Sequence, residues 1–384
     1  MNGIWYYVIA FAVIWGLTFL FRKQFTKMGV DIQPPMLMWK TTRFKKTIDK
    51  IANKSPKFWK IYMNGGIVVS FIAMIAMAYL LINSLSTIKT APSVSLIIPG
   101  VEIPGSPIVV PLGYGLISLA TVLIVHEFSH GILARVEKIS IKSIGLLLLA
   151  ILPGAFVEPD EEEMKKLPKL ARMRIYSAGS VANMSLALVS IVVVLLISSF
   201  IMPATFQGDG VNVESVIANA PADHILESGM IITSINGNNA MDIKNYSNAF
   251  LSLVPNQNIT VNTSKGEYHI ITSANPNNQS KGYIGISGSQ HYEVKKGASN
   301  ILGNDIPWIL FNIFDLFNWI FTLNLGVGLF NLLPIRMLDG GALFKDLLSF
   351  KLPEKLTNQL LNVTTSVFVA IIIFSLAYGM FKVF

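Results

Sequence analysis

Long apolar stretches separated by short polar segments dominate this sequence of 384 residues. A helix that crosses the hydrocarbon core of a bilayer needs about 20 predominantly apolar residues. We predict a transmembrane helix in each of six stretches: residues 4–21, 62–83, 109–136, 173–202, 305–333 and 361–383. The composition, 52% hydrophobic and 14% charged, agrees with a polytopic α-helical membrane protein.

A seventh apolar run, residues 143–157, does not fit this pattern. It is too short for a crossing and contains Pro153 and Gly154, which disfavour a continuous helix. Irregular backbone is tolerated at membrane depth only where other protein segments cover it. We therefore predict a re-entrant loop or hairpin that lies against other helices.

A polar region, residues 205–290, interrupts the apolar stretches. It is rich in Asn, Ser and Gly, and its short alternating segments are typical of strands separated by turns. We predict strands in VNVESVI, GMIITSING, ITVNT and YHIITS, and a helix over residues 245–254. The predicted fold class is therefore about six transmembrane helices and a re-entrant hairpin, with an inserted mainly-β domain.

Positive charge is concentrated in one segment. Between Arg22 and Lys60 the chain carries eleven Lys and Arg residues against two acids, Asp31 and Asp49. Next to membrane spans, such a cluster marks the cytoplasmic side and contacts anionic lipid, so we expect lipid and no nucleic acid as its partner. With this segment inside, a multi-pass chain of six spans has both termini and the polar insert outside the cytoplasm.

The candidate chemistry begins with the string HEFSH, in which His126, Glu127 and His130 lie within an apolar stretch. Residues four apart share a helix face, so the two imidazoles form a pair of potential Zn²⁺ ligands. Glu127 beside them is placed to act as general base on a water molecule that the metal activates. Polar groups in hydrocarbon are costly unless partnered, which favours a functional site over histidines that only bond to neighbouring helices.

A catalytic zinc needs a third protein ligand. The chain has no cysteine and only two histidines in its membrane part, so this ligand must be a carboxylate; Glu158, Asp315 and Asp339 are candidates. At about 1.5 Å per residue, HEFSH begins roughly 25 Å into its span, whereas Asp315 lies only about 15 Å into its own. Asp339 follows a full crossing and reaches the level of the histidines near the cytoplasmic face, so depth favours Asp339.

Asp339 lies in FNLLPIRMLDGG, which has the pattern N-x-x-P-x-x-x-L-D-G. Together with HEFSH, this segment resembles the site-2 protease family of intramembrane zinc metalloproteases. AGSVAN supplies Gly179 and Asn183 of that family's G-x-x-x-N motif, and GAFV (154–157) resembles the loop that precedes it. VNVESVIANAPA and GMIITSING resemble the PDZ domains that many members carry. The resemblance covers roughly residues 105–340.

The resemblance implies hydrolysis of peptide bonds within or near transmembrane segments of membrane proteins. It implies one Zn²⁺ per chain on His126, His130 and Asp339, with Glu127 as the catalytic base. The implied partners are transmembrane protein substrates, the lipid membrane, and a peptide tail or substrate ectodomain at the PDZ-like domain. We predict four parts: an N-terminal two-span region with the basic cytoplasmic loop (1–104), a first catalytic membrane part (105–204), the PDZ-like domain (205–290) and a second catalytic membrane part with the last span (300–384).

Substrate binding can also be argued physically. A helical substrate hides its backbone carbonyl groups in hydrogen bonds and must unwind before cleavage, and a strand edge offers replacement bonds. We predict that such an edge is formed by Gly154, Ala155, Phe156 and Val157. Asn183, polar in a mostly apolar helix, is predicted to hold a substrate carbonyl or amide. The alternative is an interhelical contact beside close packing at Gly179.

Two other classes of function are consistent with polar groups inside a membrane span. One is a membrane scaffold that keeps a structural metal without proteolysis, and the presence of Glu127 argues against it. The other is a metal- or proton-coupled transporter. Transporters commonly have repeated halves with broken helices, and the sequence contains no such repeat.

Overall fold

The structure, a computed structural model, describes residues 4–42, 44–88, 97–103, 106, 108–276 and 278–381. The chain divides into two compact units, which we call the membrane unit (Met1–Val194 with Asp315–Phe384) and the β unit (Leu195–Phe314). The domain boundary predicted between residues 104 and 105 and the end of the span predicted at 361–383 lie outside the described residues.

The secondary structure alternates long helices with two groups of strands. The helices are α1 (Ile4–Leu20), α2 (Arg22–Lys27), α3 (Lys45–Lys54), α4 (Pro56–Thr87), α5 (Leu112–Val136), α6 (Glu161–Lys165), α7 (Lys169–Leu196), α8 (Met202–Thr205), α9 (Ile243–Leu251), α10 (Lys296–Leu302), α11 (Asp305–Phe330), α12 (Asp339–Leu348) and α13 (Glu354–Phe381). The strands are β1 (Val30–Gln33), β2 (Met36–Thr41), β3 (Ile141–Leu149), β4 (Leu152–Pro159), β5 (Phe206–Val216), β6 (Ile231–Ile235), β7 (Asn238–Asn239), β8 (Asn258–Thr263), β9 (Gly266–Ile271), β10 (Ser273–Asn275), β11 (Asn278–Tyr283) and β12 (Ile286–Val294).

Of the described helices, five are long and apolar enough to cross a membrane: α4, α5, α7, α11 and α13. The first predicted crossing differs, because α1 has only 17 residues. At about 1.5 Å per residue it spans about 26 Å, against a hydrocarbon core of about 30 Å. The six predicted spans therefore correspond to five long helices and one shorter apolar helix.

The apolar run at 143–157 lies in a β-hairpin, β3 and β4. The basic segment, predicted only as a cytoplasmic loop, is also folded, because its strands β1 and β2 extend the hairpin into an antiparallel sheet of order β1-β2-β3-β4. Trp15 of α1 donates a hydrogen bond of 2.9 Å from Nε1 to the carbonyl of Ala150 at the hairpin tip. Because β4 is the last strand of this order, it is an edge strand.

One apolar cluster joins the elements around the hairpin. The short helix α3 is amphipathic and buries Ile48 completely. Ile48 packs against α5 at Gly131, where a Cβ would lie 2.9 Å from the Ile48 Cδ1. The same cluster includes Val157 of β4 and Ile175 of α7. Burial of these side chains holds α5, β4 and α7 together at close range.

In the β unit, the main sheet has the order β12-β5-β6-β8-β9, and β7 pairs with β6. Strands β5, β6, β8 and β9 overlap the four segments predicted as strands, and α9 overlaps the predicted helix. The apolar core includes Val213, Ile232, Ala249 and Val261. The sheet continues past the predicted end of this region at residue 290, because β12 reaches Val294.

Candidate active site

His126 and His130 lie one helical turn apart on α5, with ring centroids separated by 4.8 Å. Their Nε2 atoms are 3.2 Å apart, and Oδ2 of Asp339 lies 3.3 Å from each of them. The three residues form a group that could hold a metal ion. In a tetrahedral zinc site with bonds of about 2.0–2.1 Å, ligand atoms are about 3.3–3.4 Å apart, so this donor set fits zinc in both chemistry and spacing.

A backbone carbonyl orients His130. Its Nδ1 lies 2.7 Å from the carbonyl oxygen of Ile175 on α7. A carbonyl can only accept, so Nδ1 carries the proton and Nε2 keeps the lone pair that a metal needs. Hydrogen bonds of this kind on the second ring nitrogen fix the tautomer and orientation of metal-binding histidines.

The side-chain amide of Asn183 lies beside His126 much as the Ile175 carbonyl lies beside His130. Its Nδ2 is 3.3 Å from Nδ1 of the His126 imidazole. Asn183 is fully buried, and its Oδ1 has no hydrogen-bond partner among the described residues. A histidine that binds metal through Nε2 carries its proton on Nδ1 and needs an acceptor there. A carboxamide turned to present Oδ1 supplies that acceptor, so the unpaired oxygen also fits a metal on His126.

The side chain of Asn183 is fully buried and lies beside the imidazole of His126. In this position it could orient that imidazole. The predicted contact of Asn183 with substrate stays a prediction, as does the alternative of a contact between helices.

The surroundings of Gly179 explain why the G-x-x-x-N motif begins with glycine. A Cβ at this position would lie 2.5 Å from Nε2 of His130 and 2.6 Å from Nε2 of His126. Real side chains do not approach so closely, so only glycine lets α7 lie directly against both imidazoles. On the following residue, the Ser180 hydroxyl lies 3.4 Å from Oδ2 of Asp339 and adds a weak hydrogen bond.

The loop between α11 and α12 brings Asp339 to the histidines. The N–H of Gly340 donates to the carbonyl of Asn331 at 2.8 Å, which closes the loop on itself. A Cβ on Gly340 would collide with the backbone of Leu332, and one on Gly341 would collide with that of Ile335. The two glycines thus allow a compact turn, which places Asp339 as the first residue of α12.

A salt bridge that the sequence did not predict ties α12 to α7. Arg172 donates from Nε to Oδ2 of Asp346 at 2.9 Å and from Nη2 to Oδ1 at 2.5 Å. The Asp346 side chain is 8% exposed, so this bidentate pair is well shielded from solvent. Since Asp339 begins the same helix, the pair helps to hold Asp339 next to the two histidines.

Glu127 lines a cavity of about 1530 Å³ together with His126, His130 and Asp339. Its Oε2 accepts a hydrogen bond of 3.1 Å from the backbone N–H of Val157 on β4. The cavity therefore brings together three potential ligands, one further carboxylate and a strand edge. Phe156, Val157, Glu158 and Pro159 line the β4 side of the cavity.

The end of β4 is fixed by a helix cap. Asp160 precedes α6 and accepts hydrogen bonds from the N–H groups of Glu162 at 2.9 Å and Glu163 at 3.1 Å. The bond from Glu163, with further help from Lys142 at 3.3 Å, holds the pKa of the Asp160 carboxyl below its usual value. The cap is therefore ionised at neutral pH and keeps the edge strand in place next to the cavity.

The remaining candidates do not join this group. Glu158 accepts a hydrogen bond of 2.6 Å from the Ser143 hydroxyl and is not part of the ligand cluster. Asp315 lies on α11 and is likewise absent from the cluster. The three histidines of the β unit have side chains that are 41–93% exposed, as expected for surface positions: His224, His269 and His291.

Comparison with known proteins places the chain in a family. The model of peptidase family M50 matches residues 114–375. An uncharacterized protein of Methanocaldococcus jannaschii is 29% identical over 304 residues, which cover 77% of this chain and 73% of that protein. An Arabidopsis thaliana protein described as a membrane-bound transcription factor site-2 protease homolog is 29% identical over 126 residues, which cover 33% of this chain and 25% of that protein.

Among solved structures, the PDZ domain of an SdrC-like protein from Listeria monocytogenes is similar to part of the chain. It is 26% identical, with a TM-score of 0.19, and the match covers 21% of this chain and 87% of the PDZ chain.

The family match spans the whole candidate site. Residues 114–375 include the HEFSH helix, the G-x-x-x-N motif on α7 and the LDG turn before α12. They amount to more than half of the chain, and the prediction made from the three motifs is confirmed. The chain belongs to peptidase family M50, the site-2 protease family of membrane metalloproteases.

Proposed function

We propose that this protein is an intramembrane zinc metalloprotease that hydrolyses peptide bonds within or near transmembrane segments, with one Zn²⁺ on His126, His130 and Asp339. One observation carries the proposal. Three ligand atoms lie 3.2–3.3 Å apart beside Glu127, whose carboxylate faces an edge strand in the same cavity. A scaffold that keeps a structural metal has no need of a base in that position.

The protein side chains divide the chemistry between them. When bound, zinc acts as a Lewis acid that polarises the substrate carbonyl and makes water a nucleophile near neutral pH. Glu127 takes the proton of the attacking water and returns it to the leaving nitrogen. The N–H of Val157 holds the Glu127 carboxylate in position, and the carbonyl of Ile175 and the amide of Asn183 hold the imidazoles.

Edge strand β4 is the proposed binding site for an unwound substrate. On an antiparallel edge, alternate residues direct N–H and C=O away from the paired strand. The N–H of Val157 points to Glu127 and not to β3, so Ala155, two residues earlier, presents both backbone groups on the same open side. An extended peptide added there at Gly154–Val157 would recover backbone hydrogen bonds lost on unwinding.

The orientation that we propose for the chain in the membrane follows from the distribution of its positive charge. With the basic residues between α1 and α4 in the cytoplasm, α4 runs outward, α5 inward and α7 outward, and the β unit is extracytoplasmic. This order does not depend on whether α1 crosses the membrane. The candidate site then lies near the cytoplasmic face. We expect membrane-protein substrates in the bilayer and a peptide tail or ectodomain at the β unit.

The experiment that tests the reaction uses the purified protein in lipid vesicles with a single-span model substrate. Glu127→Gln keeps the side-chain shape but cannot accept a proton, so turnover should fall by about 10²-fold or more while bound zinc is unchanged. Glu158→Gln, a matched change in the same cavity, should retain turnover. Near-normal cleavage by Glu127→Gln would contradict the mechanism and favour the scaffold or transporter classes.

A further inference from the structure

The cavity that contains the candidate ligands has charged walls on one side of those ligands. The charged side chains that α7 and α12 contribute to this part are Lys169, Arg172, Lys345 and Asp346. On α12, Asp346 lies seven residues after Asp339, which is about 10 Å along the helix axis. The charged part of the cavity therefore extends away from the ligands along α7 and α12.

On the other side of the ligands the cavity walls are apolar. Val122 and Leu123 line this part from α5, and Val327 lines it from α11. The two α5 residues precede His126 and Glu127 by four positions, which is one helical turn or about 6 Å. Among the residues that the structure describes, α5 and α11 place no charged side chain in this part of the wall. The cavity thus has an apolar end and a charged end, with the candidate ligands between them.

A buried hydrogen bond holds α11 against α5 beside the apolar end. Nδ2 of Asn324 donates to Oγ1 of Thr121 at 3.0 Å, and Asn324 is fully buried. Polar side chains that bond across helices in this way fix helix pairs within a membrane. Thr121 directly precedes Val122, and Val327 follows Asn324 by three residues, so the bond keeps the apolar side chains of both helices at the same end of the cavity.

The neighbouring residue Ile124 shows that this placement is not simply that of an apolar residue facing lipid. Ile124 is 51% exposed and does not line the cavity. An exposed apolar side chain on a transmembrane helix contacts lipid and needs no other partner. Val122, Leu123 and Val327 instead border the space that contains the candidate ligands, where an apolar occupant would remove them from water.

The path proposed for the substrate brings one of its side chains to this end of the cavity. Because the N–H of Val157 on β4 donates to Oε2 of Glu127 at 3.1 Å, a peptide paired with β4 passes beside Glu127. Successive residues of an extended peptide are about 3.3 Å apart and direct their side chains to opposite sides. Leu123 is about 6 Å from Glu127 along α5, which is within reach of a side chain next to the scissile bond.

We propose that Val122, Leu123 and Val327 form a specificity pocket for one apolar side chain of the substrate, on a residue next to the scissile bond. The inference rests on the hydrolysis proposed above and adds the residues that select the cleavage site. A charged side chain in this pocket would lose its water without gaining a partner. Cleavage is therefore directed to bonds with an apolar neighbour on this side. The charged walls of α7 and α12 are left to the polar segment that borders the membrane span of the substrate.

The test measures kcat/KM of the purified protein in lipid vesicles with single-span substrates. Each substrate carries alanine, leucine, phenylalanine or tryptophan at one of the two residues that flank the bond cleaved in the parent substrate. Leu123→Ala enlarges the pocket and should raise cleavage of the phenylalanine substrate relative to the leucine substrate by about tenfold. Val327→Phe fills the pocket and should shift the preference toward alanine. A gain with a larger substrate cannot come from unfolded protein.

Ile124→Ala is the matched control, because it shortens an apolar side chain of α5 outside the cavity. This variant should rank the substrates as the wild-type protein does. The ranking is compared at whichever flanking residue responds to Leu123→Ala, and the other flanking residue should respond less because its side chain points to the opposite side.

Disulfide formation provides a second arm that needs no turnover. The chain has no cysteine, so Leu123→Cys can be combined with Glu127→Gln and mixed with substrates that carry a single cysteine at successive positions. With a mild oxidant, a cysteine at one residue next to the bond should form a disulfide with the Leu123→Cys protein in preference to all other positions. Ile124→Cys is the control and should show no preferred position.

Two results would overturn the inference and can be told apart. If Leu123→Ala ranks the substrates as the wild-type protein does and Leu123→Cys shows no preferred position, the three side chains do not contact substrate. The pocket is then wrong, while the proposed hydrolysis stands. If the wild-type protein cleaves no substrate of the series, the proposed hydrolysis fails, and the inference that rests on it fails as well.

Discussion

The backbone N–H of Val157 donates a hydrogen bond of 3.1 Å to Oε2 of Glu127. This bond links the proposed catalytic base to the edge strand that is proposed to hold substrate. It also orients one carboxylate oxygen, which leaves the other available for proton transfer. The position of β4 therefore determines how the Glu127 carboxylate on α5 is oriented.

We predict that Val157→Pro lowers turnover without loss of zinc. Proline removes the N–H that orients Glu127, and hydrogen bonds to charged groups contribute about 1.5–3 kcal/mol, so turnover should fall by about tenfold or more. The sheet should tolerate the change because this N–H points away from β3. Turnover of the vesicle substrate and bound zinc are measured together.

Phe156→Pro is the control for that variant. The N–H of Phe156 points toward β3 by the alternation of the strand, so proline there should lower thermal stability. If Val157→Pro lowered stability as much as Phe156→Pro, the N–H of Val157 would be a structural bond of the sheet and not a positioning bond for Glu127.

We predict that Gly179→Ala abolishes tight zinc binding. The added methyl would lie 2.5 Å from Nε2 of His130, so α7 or the imidazoles must move apart. Gly326→Ala on α11 is the matched control, because nothing lies within 4 Å of its Cβ position. Zinc titration of both purified variants checks the prediction, and equal zinc affinity would show that α7 does not abut the ligands.

The cluster of His126, His130 and Asp339 was predictable from the sequence because side-chain chemistry and depth in the membrane both limit the choice. Two histidines four apart on a helix share a face, and only Asp339 among the three acids combines the right depth with a turn after a crossing. The orienting carbonyl of Ile175 was not predictable, since every residue has a carbonyl. Its role arises only from the way α7 packs against α5.

The strand pairing in the sheet of the membrane unit was also only partly predictable from the sequence. The hairpin of β3 and β4 was expected because Pro153 and Gly154 interrupt an apolar run that is too short to cross. The pairing of β2 with β3 joins residues about 100 positions apart, from Met36 opposite Leu149 to Thr41 opposite Ile144. Local patterning carries no signal for such a pairing, so the basic segment looked like a loop.

We predict that the β unit is accessible only from the extracytoplasmic side. The chain has no native cysteine, so single substitutions can be labelled without background. A cysteine in place of the exposed Ser280 should react with an impermeant maleimide from outside, and one in place of the exposed Lys46 only after the membrane is opened. Labelling of the Ser280 variant from the cytoplasm alone would reverse the orientation.

We predict that Asp339→Ala loses bound zinc and activity, whereas Asp315→Ala keeps both. Oδ2 of Asp339 lies 3.3 Å from both imidazole Nε2 atoms, so its loss removes one of three ligands. Asp315 is the control because it is a carboxylate of the membrane unit outside the cluster. Chelation should abolish activity of the wild-type enzyme, and added zinc should restore it. Full zinc content in Asp339→Ala would refute the assignment.

The last prediction concerns Asn183 and separates positioning of His126 from contact with substrate. If the amide oxygen accepts from Nδ1 of the metal-bound imidazole, Asn183→Ala should weaken zinc binding by about 10- to 100-fold. Asn183→Asp keeps an acceptor there and should recover most of that affinity. Ser190→Ala, at another buried polar position on α7, should leave zinc affinity unchanged. A rise in KM with unaltered zinc affinity in Asn183→Ala would instead support the contact with substrate that the sequence suggested.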